Sequence, residues 1–196
     1  MSMSAPDETQ TGFLAGRLLV AMPGIGDPRF ERAVVLVCIH TFDHAMGVRL
    51  NLPLEGLTVA GVLQRLSVEG EARDPSQLVL MGGPVERERG YVVHSDDFAV
   101  TDSTMCVAEG LSLTASREVL VALTRQSSTP GRALLALGYA GWGPGQLDAE
   151  LRENVWLTCP ADLDLVFDEQ FDTKWEKALA RMGVTPAALS SQVGRA

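Results

Sequence analysis

The densest run of residues able to do chemistry lies between Gly138 and Glu150, GYAGWGPGQLDAE. Four glycines, Gly138, Gly141, Gly143 and Gly145, are interleaved with Tyr139, Trp142 and Pro144, and an apolar stripe at helical spacing follows in Leu147, Leu151 and Val155. A glycine turn ahead of a helix can cradle an anion, because the helix start offers free N–H groups and the positive end of its dipole. The spacing here matches neither a phosphate-binding G-x-x-x-x-G-K-[ST] loop nor a dinucleotide-binding G-x-G-x-x-G unit. No lysine lies near it, and Asp148 and Glu150 in the first helical turns would oppose a phosphate. A tight turn that packs Tyr139 and Trp142 is the better reading. If a ligand or partner is held here, the candidates are Tyr139, Gly141, Trp142, Gly143 and Gln146. The turn Gly82-Gly83-Pro84 would form the other wall of such a cleft.

Other constellations are weaker. His40 and His44, with Asp43 and Cys38 nearby, suggest a metal site. An i, i+4 pair faces one ion only on a helix, and this segment reads as a connection between two strands. Surface-loop histidines are expected instead, and no metal. His94-Ser95-Asp96 invites a hydrolase reading, but no G-x-S-x-G elbow occurs in the chain. Cys38, Cys106 and Cys159 are widely spaced, odd in number and set in apolar strand-like segments, which predicts buried free thiols in a reducing compartment. Carboxylates around Cys159 would raise its thiol pKa and disfavour a nucleophilic role. No catalytic residue and no cofactor is therefore assigned.

These residues must be positioned by a chain of 196 residues, the size of one domain, with 46% hydrophobic and 21% charged residues. The fold class expected is mixed α/β (α+β). A single curved mixed sheet of about seven to eight strands should carry packed helices. Strands are read at Leu18–Met22, Ala33–Ile39, Met46–Leu52, Leu78–Met81, Tyr91–His94, Ala133–Leu137 and the segment VWLTC, and a hairpin at Met105–Ala108 and Leu111–Leu113. Helices are read from Thr58, over Ser116 to Arg125, after Pro144, and from a capping-box pattern at Thr173–Glu176 to Gly183. Residues 1–12 read as a flexible tail, 13–184 as the domain, and 185–196 as a short helix and tail. The N-terminus lacks a secretory pattern and no apolar run reaches ~20 residues, so a cytoplasmic protein without membrane contact is expected.

The net charge is −9, and it is concentrated. From Asp148 to Asp172, eight acids face one base, Arg152, giving −7 over 25 residues. DNA affinity depends on Lys and Arg neutralising phosphates, so direct nucleic-acid binding is disfavoured. An acidic docking face for a basic protein partner is expected, built from Asp148, Glu150, Glu153, Asp162, Asp164 and Asp168.

The stretch LGYAGWGPGQLDAELRENVWL resembles the signature of the AlgH/YqgE-like family of small bacterial proteins. LLVAMPGIGDPRFERAVVLVCIH, AMGVRLNLP, MGGPVERERGYVVHS and LSLTASREVL lie around it in the matching order, so the resemblance covers roughly residues 13 to 183. It implies a fold and a family whose members are often labelled transcriptional regulators, and it carries over no catalytic residues. A non-catalytic regulatory or protein-interaction module is the leading expectation. A ligand-binding protein or enzyme with a cleft near GYAGWGPG is the alternative, and direct regulation on DNA comes third.

Overall fold

The computed structural model describes residues 14–125 and 130–190. The expected tail over residues 1–12 lies outside them, as do residues 191–196.

Strands β1 (Arg17–Ala21), β2 (Val34–His40) and β3 (Ala45–Arg49) form an antiparallel meander. Two further strands, β4 (Pro53–Thr58) and β5 (Leu78–Met81), flank helix α1 (Val59–Arg65), which Thr58 caps through its hydroxyl. Then follow β6 (Val85–Ser95), the hairpin β7 (Thr104–Ala108) and β8 (Leu111–Thr114), and α2 (Arg117–Ala122). The chain returns through the ten-residue β9 (Ala133–Trp142), α3 (Gln146–Arg152) and β10 (Trp156–Pro160). It ends in helices α4 (Leu163–Val166), α5 (Phe171–Arg181) and α6 (Pro186–Ser190). Eight strands form one continuous antiparallel path, β10-β1-β2-β3-β9-β6-β8-β7. β4 and β5 branch from it, and β5 joins β9 by a parallel ladder, which makes the sheet mixed.

β9 is the shared strand. Its first half pairs with β6 and β5, and its last residues, Ala140 to Trp142, pair with β3. Expected as a loop, Gly138 to Trp142 is strand, and glycine's role there is to let the strand bend. Gly138 takes φ +73 where β9 changes partners. Without a Cβ such a residue reaches angles closed to others and marks a corner in a sheet. Gly82 and Gly83 pack against this corner so closely that a Cβ on Gly83 would fall on the Tyr139 backbone. The Gly82 N–H donates to the Leu137 carbonyl and its own carbonyl accepts from Arg49, at 2.8 Å each. The ends of β3 and β5, the start of β6 and the bend of β9 thus meet at one crossing.

Side chains of β9 feed three apolar clusters. Leu134 and Ala136 join the main core beneath α5, with Trp175 and Leu179. Leu135 packs under α1 and α2, and Ala140 and Trp142 pack with Leu147 of α3. The expected capping box at Thr173 is not used. α5 begins two residues earlier, at Phe171, so Thr173 lies inside the helix and its hydroxyl donates to the Gln170 carbonyl. Among the described residues no helix is long and apolar enough to cross a membrane.

Candidate functional site

Trp142 ends β9 with only 6% of its surface exposed. Its indole N–H donates to Glu150 Oε2 at 2.9 Å, and the Trp156 indole donates to the same oxygen at 2.8 Å. Gln146 donates to the other oxygen, Oε1, at 3.0 Å. The two indoles meet edge to face at 6.2 Å, and Phe30 stands edge-on to Trp156. Gly145, at φ +66, turns the chain into α3, and the Gly143 N–H is taken by the Gln146 side chain. Tyr139 packs edge-on to Tyr91 at 5.7 Å, and Gly141 is an exposed strand position beside it. The glycine stretch therefore locks β9, α3 and β10 together through one carboxylate. Pro84 leads into β6 beside the exposed charges Glu86 to Arg89. Tyr91 donates its hydroxyl to Glu86, and burial together with that carboxylate pushes its pKa up to about 12.

Most of the acidic stretch is paired within the molecule. Asp148 lies 3.3 Å from His40, Asp162 bonds Arg181 at 2.7 Å, Asp164 bonds Arg132 at 2.9 Å, and Asp168 pairs with Lys177. Glu150 is held by the indoles, and Glu153 stands exposed at the end of α3. The Leu165 N–H, which Asp162 accepts as the cap of α4, holds that carboxyl below the usual range, and Arg181 adds to the effect.

Asp162 and Asp164 are brought beside two acids whose place in the sequence suggests only a strand break. Asp96 and Asp97, just past β6, line with them a cleft of about 730 Å³ that also holds Leu163, Phe167 and Arg132. Asp96 accepts the Gly110 N–H at 2.8 Å, and Asp97 accepts the Gly131 N–H at 3.0 Å and the Ser95 hydroxyl at 2.6 Å. Backbone bonds thus fix three of the four carboxylates in place. Asp164 is 77% exposed and is held by a side chain, Arg132, instead of by backbone. The signal that could have found the cleft was Asp96-Asp97 itself, but only the tertiary path of α4 puts it opposite Asp162.

The remaining polar candidates lie apart from this cleft or behind it. His40 closes β2 and is buried, so it is not the surface-loop histidine expected; His44, in the following turn, is exposed. His94 is fully buried between the Ser95 carbonyl and the Thr114 hydroxyl, both 2.8 Å away. Burial lowers its pKa, with the Ser95 carbonyl and Asp97 opposing. Among the described residues no three His, Cys, Asp or Glu side chains are placed to hold a metal. Cys38 is buried and pushed up to about 12. Cys159 is raised chiefly by burial, with Arg17 and Arg181 pulling the other way, so its acidic surroundings are a minor cause. Cys106 is exposed, against expectation, because it sits on β7 at the edge of the sheet.

A family model described as AlgH-like matches residues 18–187. The chain belongs to the AlgH-like family. Among AlgH-like relatives, a UPF0301 protein of Caulobacter vibrioides is 57% identical over 190 residues, covering 97% of each chain. The solution structure of the AlgH protein from Pseudomonas aeruginosa is 37% identical, with a TM-score of 0.75 over the whole of both chains. A crystal structure of a Corynebacterium diphtheriae protein, 22% identical over 88% of each chain with a TM-score of 0.70, shares the AlgH-like fold. None of these names states a reaction.

Proposed function

We propose that this AlgH-like protein is a non-catalytic interaction module that receives a basic segment of a partner protein in the cleft between β6 and α4. The observation that carries this reading is the convergence of Asp96, Asp97, Asp162 and Asp164 on one cleft, with Arg132 as its internal cation. Leu163 and Phe167 supply apolar contact beside the charges. Such a site suits an arginine or lysine side chain flanked by an apolar residue. Charge steers the encounter, and the apolar pair adds desolvated area. Any regulatory effect then acts through a protein partner. Four arginines that could meet phosphates are engaged within the molecule, which weighs against direct DNA binding: Arg29, Arg32 and Arg89 pair with Asp27, Glu176 and Glu86, and Arg49 is buried against backbone carbonyls.

The test is capture of partner proteins from bacterial lysate by the wild type, by Asp164→Lys, and by a variant with Asp162, Asp164 and Asp168 changed to Asn. A partner retained by the wild type should be lost with Asp164→Lys, and its retention should fall as salt shortens electrostatic reach to ~3 Å at 1 M. A partner held equally by all three proteins at both salt levels refutes the reading.

A further inference from the structure

A second concavity, sharing no lining residue with the acidic cleft, opens on the face that α1 and α2 roof. Helices of seven and six residues span only ~10 Å each and leave part of the sheet uncovered. The resulting groove has a volume of about 490 Å³, within the ~300–1,000 Å³ range of small-molecule sites. Its floor follows two cross-strand pairs, Gly90 with Leu137, both part-exposed, and Val92 with Leu135, both buried at its inner end. Val62 and Leu120 form the walls.

Gly90 is what keeps the floor open. Its φ lies outside the left-handed region, so its backbone does not demand glycine. A Cβ there would meet only Leu135 Cδ1, at 3.5 Å, an ordinary contact, so crowding does not demand it either. This separates it from Gly82, Gly83 and Gly138, which the strand crossing requires.

The mouth is basic although the chain carries −9. Arg65 stands at the end of α1 and Arg117 at the start of α2, both exposed. Arg117 donates to the Leu66 and Ser67 carbonyls at 2.9 Å each, which fixes the guanidinium and leaves some of its five N–H donors. Glu88 is the carboxylate on the rim, and Arg89 is turned toward Tyr91 and Glu86.

We infer that this groove binds a small amphipathic anion of the medium-chain acyl carboxylate class. The alkyl chain lies over Gly90 between Val62 and Leu120, and the carboxylate meets the guanidinium groups of Arg117 and Arg65. A planar guanidinium matches a carboxylate with two parallel hydrogen bonds, and the apolar floor has nothing to offer a nucleotide or an inorganic anion.

The test is titration of the full chain with decanoate, decanol and butyrate below micelle-forming concentrations, followed through the methyl NMR signals of Val62, Leu120, Leu135 and Leu137. Decanoate should shift these signals saturably, and decanol and butyrate should bind at least about tenfold more weakly. Gly90→Leu, whose Cβ meets only an ordinary contact, should abolish decanoate binding with the unfolding temperature little changed. Arg65→Gln, on an exposed side chain, should weaken it several-fold. Any of these results overturns the inference: no saturable shift with decanoate, decanol binding as tightly as decanoate, or full affinity in Arg65→Gln. Full affinity in a folded Gly90→Leu protein does so as well.

Discussion

Glu150 shows how much a single side chain can be asked to do in this fold. It accepts both indole N–H groups, so removing it strands two donors, at a cost of ~1–3 kcal/mol for each left unsatisfied. Urea unfolding of Glu150→Ala should register that loss, whereas a residue serving only a docking surface would change stability by under ~0.5 kcal/mol. Trp142→Ala removes the larger apolar area and should cost ~3–5 kcal/mol. A loss below ~1 kcal/mol would return Trp142 to the rim of a cleft. Lys174 gives a pH signature. Its side chain is fully buried and donates to the Val166 carbonyl at 2.8 Å, and burial lowers its pKa from 10.5 to about 8, with Asp168 and Glu169 opposing. The unfolded chain therefore binds more protons than the folded one between these values, and stability rises as pH climbs through them. Its share is on the order of 3 kcal/mol, and it should appear as the difference between wild type and Lys174→Met when the two are unfolded in urea at about pH 7.5 and 10.5.

At the scale of elements, the strand crossing at Gly82, Gly83 and Gly138 is the least forgiving point. A Cβ on Gly83 overlaps backbone, which has no flexible end to move aside, so Gly83→Ala should lose ~4 kcal/mol or more, or fail to fold. Gly141→Ala meets only a side-chain edge at 3.3 Å and should be far milder, which thermal unfolding of the pair would reveal. Elements with a clear apolar period are legible in the amino-acid sequence: β5 at Leu78–Met81, the β7–β8 hairpin, and α1 from its Thr58 cap. The second half of β9 is not, because glycine content signals a turn, and only partner exchange at Gly138 shows why a strand needs it. Cys106 departs from the expectation of burial for a related reason, since an apolar run does not tell an edge strand from a central one. A thiol reagent should label Cys106 rapidly in the native protein, and Cys38 and Cys159 only on unfolding.

At the scale of the whole molecule, charge was legible and its arrangement was not. The acidic run from Asp148 to Asp172 is plain in the sequence, yet five of its carboxylates are paired internally or clasped by indoles. What remains for a partner depends on Asp96 and Asp97, which lie 65 residues or more before Asp162 in the chain. With −9 overall, the protein should bind duplex DNA more weakly than ~10 μM at physiological salt, as fluorescence anisotropy would show. The most direct test of the cleft is an amide-resolved NMR titration with a short peptide alternating arginine and leucine, at low and high salt. Shifts confined to residues 95–97, 110, 131–132 and 162–167 are predicted, vanishing at high salt and in Asp164→Lys. Shifts centred elsewhere, or unchanged by salt and by that substitution, would contradict the assignment of this cleft as the docking site.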